Sequence, residues 1–437
     1  MSAIALDEPA GPISPPAFLP LRKVAAVGIG NALSFYDFLT YSFFAIQIGH
    51  TFFPGGDASH SLLYSLATFG VGFATRPLGG LIIGAYADRA GRKPAMILSF
   101  TLMGLGILGL ALTPSYAQIG VAAPALLVFF RLMQGFALGG EVGPSTAFLI
   151  EAAPPLRRGL YLALQYATQD FAVLIAGLVG FILSSVLAPA DLQGWGWRLA
   201  FLIGAAIVPF GLVMRRSLPE TLFHAPAGSG AAAPARRRLP VKILVLGLAM
   251  LGAGTIANYA LGYLTTYAQD SLHLAASIAF GATIVLGAAA VICDIACGLM
   301  SDKLGRKPVM VISGVAFTLL SVPAFLMMVR APSVWTLWGA TALLSALLSF
   351  MSGPALITIT ESLPRGVRSG ALGTLYAVAI AGFGGSTQFL IKWLTDVTGS
   401  PLAPAWYMTG AMAIGTLAMI LTRETAPVKT GVHDDLA

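Results

Sequence analysis

Residues 84 to 97 read GAYADRAGRKPAMI, and residues 298 to 311 read GLMSDKLGRKPVMV. The two stretches share seven identical positions at an offset of 214 residues. A second repeat pairs IEAAPPLRRG, which begins at Ile150, with TESLPRGVRSG, which begins at Thr360. In that pairing Glu151 aligns with Glu361, and Arg158 aligns with Arg368. The chain is therefore built from two related halves.

The composition is that of a chain that lies mostly in lipid. Apolar residues make up 57% of the 437 residues, while charged residues make up only 10%, against roughly 25% in a soluble domain. A membrane-spanning helix needs about 20 apolar residues, so twelve such helices would use about 240 residues and leave short loops. The 50 glycines favour helices whose backbones approach one another closely.

Apolar stretches that end at proline, glycine or charged residues predict twelve membrane spans, six in each half. We number them spans 1 to 12, and they cover residues 24–50, 61–87, 94–113, 120–150, 160–188, 198–214, 240–268, 277–300, 308–329, 334–362, 367–396 and 404–422.

The basic residues predict the orientation of the chain. If the N-terminus is cytosolic, 20 of the 25 Lys and Arg residues fall in cytosolic segments. Because cytosolic loops carry the excess of basic residues, both termini are expected in the cytosol. The predicted organisation is a cytosolic tail, a six-helix bundle, a cytosolic linker, a second six-helix bundle and a cytosolic tail, at residues 1–20, 21–214, 215–239, 240–423 and 424–437.

The repeated turns, at residues 84–93 and 298–307, follow the pattern G-x-x-x-D-R/K-x-G-R-K and resemble the signature of the major facilitator superfamily. Three further stretches resemble its metabolite:proton symporter branch: GNALSFYDF from Gly30, RLMQGFALGGEVG from Arg131 and WGWRLAF from Trp195. Together with FFP from Phe52 and PAWY from Pro404, the pattern is similar to the citrate and tricarboxylate carriers of that branch. The resemblance implies an all-α membrane protein of two pseudo-symmetric six-helix bundles that works by alternating access.

Charged residues within the spans are the first candidates for function, because a charge facing lipid is costly. Asp37 lies halfway along span 1, and Arg131 has a similar depth on span 4. We expect Asp37 to bind the transported proton and Arg131 to modulate its proton affinity or to bind the anionic substrate. The alternative is a permanent ion pair that only joins helices. Glu141, among glycines of span 4, is a further candidate for proton coupling.

A second group of residues is expected to contact substrate. Arg76 is a possible carboxylate clamp because its planar guanidinium binds carboxylates with two hydrogen bonds; a packing role is the alternative. Lys392 either adds positive charge for a polyanion or extends to the outer interface. Asp170 and Asp294 are unusual for a site that binds anions. The full set of predicted substrate residues is Asn31, Tyr36, Arg76, Arg131, Gln165, Gln169, Asn258, Tyr259 and Lys392.

The repeated turns are expected to hold the outward-facing state through charge pairs at the cytosolic ends of helices. Basic residues alone could serve topology, but topology does not require Asp and Gly at fixed positions. The residues of this predicted latch are Asp88, Arg89, Gly91, Arg92, Asp302, Lys303, Gly305 and Arg306.

Together with these features, the resemblance implies a monomeric, proton-coupled importer of a small organic acid in a bacterial inner membrane. Citrate or a related di- or tricarboxylate comes first, and a keto acid, shikimate or a zwitterionic osmolyte is the alternative. The five histidines fall in loops or at span ends, and neither a nucleophile elbow nor a phosphate loop occurs, so we expect neither an enzyme nor a bound cofactor or metal. A channel is the nearest competing class, although the duplicated halves favour a carrier.

Overall fold

Each of the twelve predicted spans contains helix in the structure, which is a computed structural model. It describes residues 32, 35–36, 39–55, 57–90, 92–139, 153–217, 241–364 and 368–431; within these, the side chains of residues 87–90, 92–93, 96, 207, 210–217 and 368–370 are outside the description. The predicted residues Asn31, Asp37, Gly91 and Glu141 also lie outside it, as do the side chains of Asp88, Arg89 and Arg92.

The helices of the first half follow the predicted order. Span 1 contains Ala45–Phe52, and span 2 is divided into Ala58–Ala74 and Arg76–Ala90. Spans 3 to 6 contain the helices Arg92–Leu112, Ala122–Leu138, Arg158–Val186 and Trp197–Ser217. Short helical turns at Tyr116–Ile119, Pro155–Arg157, Pro189–Asp191 and Leu192–Gly196 connect them.

The second half repeats this arrangement. Span 7 is divided into Val241–Gly262 and Leu264–Asp270, and spans 8 to 10 are Ala276–Leu304, Arg306–Arg330 and Val334–Glu361. Span 11 consists of Arg368–Ala379, a π-helical segment at Ile380–Gly384, and Gly385–Thr398. Span 12 is Ala403–Leu421, and a last turn, Pro427–Thr430, follows it. The described residues contain no β-strand.

The lengths and composition of the helices suit a membrane. Among the described residues, eight helical segments are long and apolar enough to cross one, and two shorter apolar helices, Ile97–Leu112 and Ala122–Leu138, accompany them. Many large apolar side chains are exposed on the outside of the bundle, for example Leu81, Ile182 and Ile312. In lipid such exposure carries no penalty, because the bilayer core is itself apolar.

Each half has its own apolar core. Phe43, Phe69, Leu127 and Trp197 belong to a cluster that draws mainly on spans 1 to 6. A second cluster draws mainly on spans 7 to 12, with Met310, Phe325, Leu344 and Met408 among its members. Both clusters also take buried residues from the other half, and the movement of the halves as bodies stays a prediction of the sequence repeat.

Spans 5 and 8 form the closest contact between the halves. A Cβ atom on Gly287 would lie 2.5 Å from the backbone nitrogen of Leu174, and one on Gly298 would lie 2.9 Å from the carbonyl oxygen of Gly159. Towards the other end of the same helices, a Cβ on Gly177 would lie 2.9 Å from the Ile284 nitrogen. Glycine is required at such positions because only hydrogen leaves room for the facing backbone.

Candidate functional site

Arg131 is a fully buried cation inside the first half. Its guanidinium carbon lies 4.4 Å from the centroid of the Tyr41 ring and 5.3 Å from that of Phe69. Its Nη1 donates a hydrogen bond of 2.8 Å to Gln134 Oε1, one helical turn further along span 4. The R-x-x-Q spacing therefore orients the guanidinium group, while the aromatic faces stabilise its charge without water.

Arg76 enters the same region because the helix of span 2 is interrupted. Thr75 ends the first segment and donates from its hydroxyl to the Leu132 carbonyl oxygen at 2.7 Å, and Pro77 occupies the first turn of the next segment. The guanidinium carbon of Arg76 lies 4.2 Å from the centroid of the Phe73 ring, and the residue is 8% exposed. The break thus places a second buried cation near the first.

Aromatic rings from both halves surround the two arginines. Phe69 packs edge-to-face on Phe73 at 5.3 Å, and Tyr259 of span 7 packs edge-to-face on both rings, at 6.0 and 5.3 Å. The Tyr259 hydroxyl contacts Arg76, and Tyr376 of span 11 lies beside them. We call Tyr41, Phe69, Phe73, Arg76, Arg131, Gln134, Tyr259 and Tyr376 the arginine cluster.

The remaining predicted substrate residues take different positions. Tyr36 is buried and donates a hydrogen bond of 3.1 Å to the Ala200 carbonyl oxygen, which joins spans 1 and 6. Gln165 is buried and Gln169 is half-buried on span 5. Asn258 is exposed, whereas the next residue, Tyr259, is buried in the cluster. The expectation that Asn258 contacts substrate stays a prediction.

Lys392 lies in an ion network away from the arginine cluster. Its Nζ is 3.0 Å from Asp270 Oδ2 at the end of span 7 and 2.8 Å from Asp396 Oδ1, one turn further along span 11. Because both contacts are carboxylates of the chain itself, the charge of Lys392 is already neutralised. The expectation that Lys392 binds an anionic substrate therefore finds no support in its surroundings.

The second repeated turn contacts the first half directly. We call the end of the bundle that carries this turn the motif end. Asp302 accepts hydrogen bonds from the backbone N–H groups of Gly159 and Leu160, at 2.9 and 3.0 Å, and from Arg306 Nη1 at 2.6 Å. Gly305 has a φ of 103°, which favours glycine, while Lys303 is exposed and outside the network. Asp302 thus caps the helix of span 5 across the boundary between the halves.

Glu361 connects the same network to span 10 and was not among the predicted site residues. Its carboxylate lies 3.5 Å from Arg158 Nη1 and 3.8 Å from Arg306 Nη2, and it accepts a hydrogen bond of 2.7 Å from Thr425. Glu424 accepts hydrogen bonds from the backbone nitrogens of Arg306 and Lys307. The second repeat, which contains both Arg158 and Glu361, was the sequence signal for this contact.

The halves also meet at the opposite end. Ser59 donates a hydrogen bond of 2.8 Å to Asp396 Oδ2, and Gln388 donates one of 2.6 Å to Ser42 Oγ. Among the described residues, contacts between the halves therefore occur both at the motif end and at the opposite end. No group of three or more His, Cys, Asp or Glu side chains suited to a metal ion occurs in the described part of the chain.

The chain is similar in sequence and in fold to several transporters. The family model "Sugar (and other) transporter" matches residues 23–232. The chain is 34% identical to the citrate-proton symporter of Klebsiella pneumoniae over 91% of this chain and 90% of that protein. It is 33% identical to the alpha-ketoglutarate permease of Escherichia coli over 91% and 92% of the two chains.

The solved structures confirm the fold. A crystal structure of a D-xylose-proton symporter superposes with a TM-score of 0.77 over 94% of this chain and 99% of that one, at 17% sequence identity. The two helical bundles are therefore those of the major facilitator fold, and the predicted count of twelve membrane helices is confirmed. The chain is a multi-pass inner-membrane protein and belongs to the metabolite:proton symporter family of the major facilitator superfamily.

Proposed function

We propose that this protein imports a small organic acid, citrate or a related di- or tricarboxylate, together with protons by alternating access. The observation that carries the proposal is the arginine cluster, in which Arg76 and Arg131 are buried between aromatic rings at the boundary of the halves. The names of the citrate-proton and alpha-ketoglutarate relatives support the same class of substrate.

Two guanidinium groups suit a substrate with more than one carboxylate. Each planar guanidinium offers paired N–H donors that match a carboxylate, and burial strengthens such charge-assisted hydrogen bonds. Tyr259 reaches Arg76 from the second half, so a substrate bound there would contact both halves. Gln165 and Gln169 on span 5, and Tyr36 and Asn31 on span 1, are proposed to complete the polar lining.

Proton coupling is proposed to use Asp37 together with Arg131, with Glu141 as a further participant. A carboxyl that alternates between charged and neutral forms would change the affinity of Arg131 for the substrate. The motif end is proposed to face the cytosol, with both termini and the 215–239 linker on that side. The network of Asp302, Arg306 and Glu361 would then close the cytosolic side in the outward-facing state.

Uptake into proteoliposomes under an imposed pH gradient tests the proposal. The purified protein should accumulate labelled citrate or a related di- or tricarboxylate when the outside is acidic, and an added protonophore should abolish accumulation. Substrate accumulation that does not depend on the pH gradient would refute proton symport. Entry without substrate-driven countertransport would instead indicate a channel.

A keto acid is the second candidate, because the alpha-ketoglutarate permease relative covers nearly the whole chain at a similar identity. Competition of unlabelled citrate, alpha-ketoglutarate, shikimate and a zwitterion such as proline for uptake distinguishes the candidates. A zwitterion such as proline has a single carboxylate, which could pair with only one guanidinium of the cluster, and its ammonium group would add a further positive charge to the site. Efficient inhibition by proline and none by the acids would overturn the assignment to organic acids.

A further inference from the structure

Asp170 of span 5 and Asp294 of span 8 place two carboxyl groups within interaction distance of each other inside the helix bundle. Asp294 is 6% exposed, and Asp170 is half-buried beside it. They lie on the two helices that form the closest contact between the halves, where the Asp170 carbonyl oxygen faces Gly287. The predicted roles of the arginine cluster and of the motif end leave this pair unused.

The surroundings of the pair contain no compensating cation among the described residues. Neither carboxylate forms an ion pair there, and the polar groups that face them are the Tyr166 and Ser349 hydroxyls and the Cys293 and Cys297 thiols. Arg306 bonds to Ser301 and Asp302 instead. Two like charges so close together in a site of low dielectric repel strongly, so the pair is stable only if one carboxyl is protonated.

A small cavity adjoins Asp294. It has a volume of about 10 Å³, which is close to the space of one water molecule, and Asp294, Tyr166, Ser349 and Cys297 are among its lining residues. Asp294 Oδ2 is buried and makes no hydrogen bond within the described part of the chain. The cavity extends to Gly159 and Ser301, next to the backbone groups that Asp302 caps. The carboxylate of Asp294, a proton acceptor, is therefore separated from the motif end only by this water-sized cavity and by the contact between spans 5 and 8.

We infer that Asp170 and Asp294 form a second proton-binding site, which takes up one proton as the halves close and releases it as they separate. While the motif end is closed, a hydronium ion from the outer side transfers its proton to Asp294 Oδ2 and leaves water. The reverse transfer to water follows on the cytosolic side when the motif end opens. The remaining carboxylate, Asp170, stabilises the bound proton. This inference rests on the proposed proton symport and adds a proton to it, which would offset the charge of a substrate with several carboxylates.

The slope of substrate accumulation against the imposed pH difference tests this inference. With the membrane potential held at zero, each coupled proton raises the steady-state accumulation ratio about tenfold per pH unit, because each factor of ten corresponds to 1.4 kcal/mol. We expect Asp170→Asn and Asp294→Asn each to lower the logarithmic slope by one relative to the unmodified protein. The double variant should lower it no further. The matched control is Asp191→Asn, the same change at an exposed position in the short helical turn Pro189–Asp191.

The outcomes separate this inference from the function on which it rests. A zero slope for the unmodified protein would contradict proton symport itself. A positive proton slope that both Asn variants retain would overturn the second site and leave proton symport intact. A slope that follows sodium in place of protons would contradict proton symport itself. Exchange of labelled for unlabelled substrate, measured as countertransport, shows whether each variant is folded. If neither variant folds, infrared spectra of the unmodified protein decide: a buried protonated carboxyl band that disappears on alkalinisation is expected, and its absence overturns the inference.

Discussion

Asp302 caps the helix of the opposite half, since its carboxylate lies 2.9 Å from the backbone nitrogen of Gly159. The second repeated turn therefore acts across the boundary between the halves and not only within its own. Removing the charge should weaken closure of the motif end by about 0.3–2 kcal/mol, the stabilisation of a negative charge by the N-terminus of a helix. In an Asp302→Asn variant with Cys293→Ala, alkylation of buried Cys297 should become several times faster.

The matched control for this measurement is Lys303→Gln in the same background, because Lys303 is exposed and outside the network. It should leave the alkylation rate of Cys297 unchanged. Equal rates for Asp302→Asn and the unmodified turn would show that the cap does not hold the motif end closed.

Arg306 neutralises two buried carboxylates, and its loss should be severe. Its side chain is 1% exposed and lies between Asp302 and Glu361. Breaking a buried ion pair by removing one partner costs about 3–5 kcal/mol, since the other charge remains without compensation. Arg306→Gln should therefore lower the unfolding temperature in detergent, and the double variant Arg306→Gln/Glu361→Gln should recover part of the loss. A double variant less stable than the single one would contradict this pairing.

Arg131→Lys tests the arginine cluster while preserving the charge. Lysine cannot form the paired hydrogen bonds or the flat stacking that a guanidinium forms on Tyr41. We expect binding of the polycarboxylate to weaken about tenfold, equivalent to 1.4 kcal/mol. Arg198→Lys is the control, because Arg198 bonds to the Ala111 and Thr113 carbonyl oxygens away from the cluster. Equal substrate affinity in Arg131→Lys and the unmodified protein would show that the guanidinium of Arg131 does not bind the substrate.

Lys392→Met should reduce stability without changing substrate affinity. The change leaves Asp270 and Asp396 facing each other without a cation. Because Asp396 is partly exposed, the loss should be modest: a decrease of roughly 2–4 °C in the unfolding temperature, about 1 kcal/mol for a domain of ordinary size. Lys392→Arg should retain the stability. A large loss of substrate affinity in Lys392→Met would show that Lys392 contributes to substrate binding.

The fold was predictable because its signals are local and repeated. Each span is a continuous apolar stretch, and the turn at residues 84–97 recurs at 298–311. The interruptions at Thr75 and at Ile380–Gly384 were not predicted, since both lie inside apolar stretches that read as continuous helix. The first of them directly precedes Arg76, whose guanidinium lies over the Phe73 ring in the arginine cluster.

The site was predictable in residue type but less so in geometry. Arg76, Arg131 and Tyr259 come together because three helices from the two halves meet. In the sequence, the only signal for this site was the presence of charged residues within the membrane spans. Lys392 and Asp270 are far apart in the sequence, so their ion pair had no local signal. In glycine-rich, uniformly apolar span 7, periodicity did not indicate that Tyr259 is buried and that Asn258 is exposed.

Proton movement driven by substrate alone tests the central claim most directly. Proteoliposomes that contain a pH-sensitive dye and no imposed gradient should acidify inside when citrate or the preferred di- or tricarboxylate is added outside, because each molecule would enter with protons. The same addition to Asp37→Asn should give a smaller signal or none. Uptake of the labelled acid by the unmodified protein with no acidification would contradict proton symport.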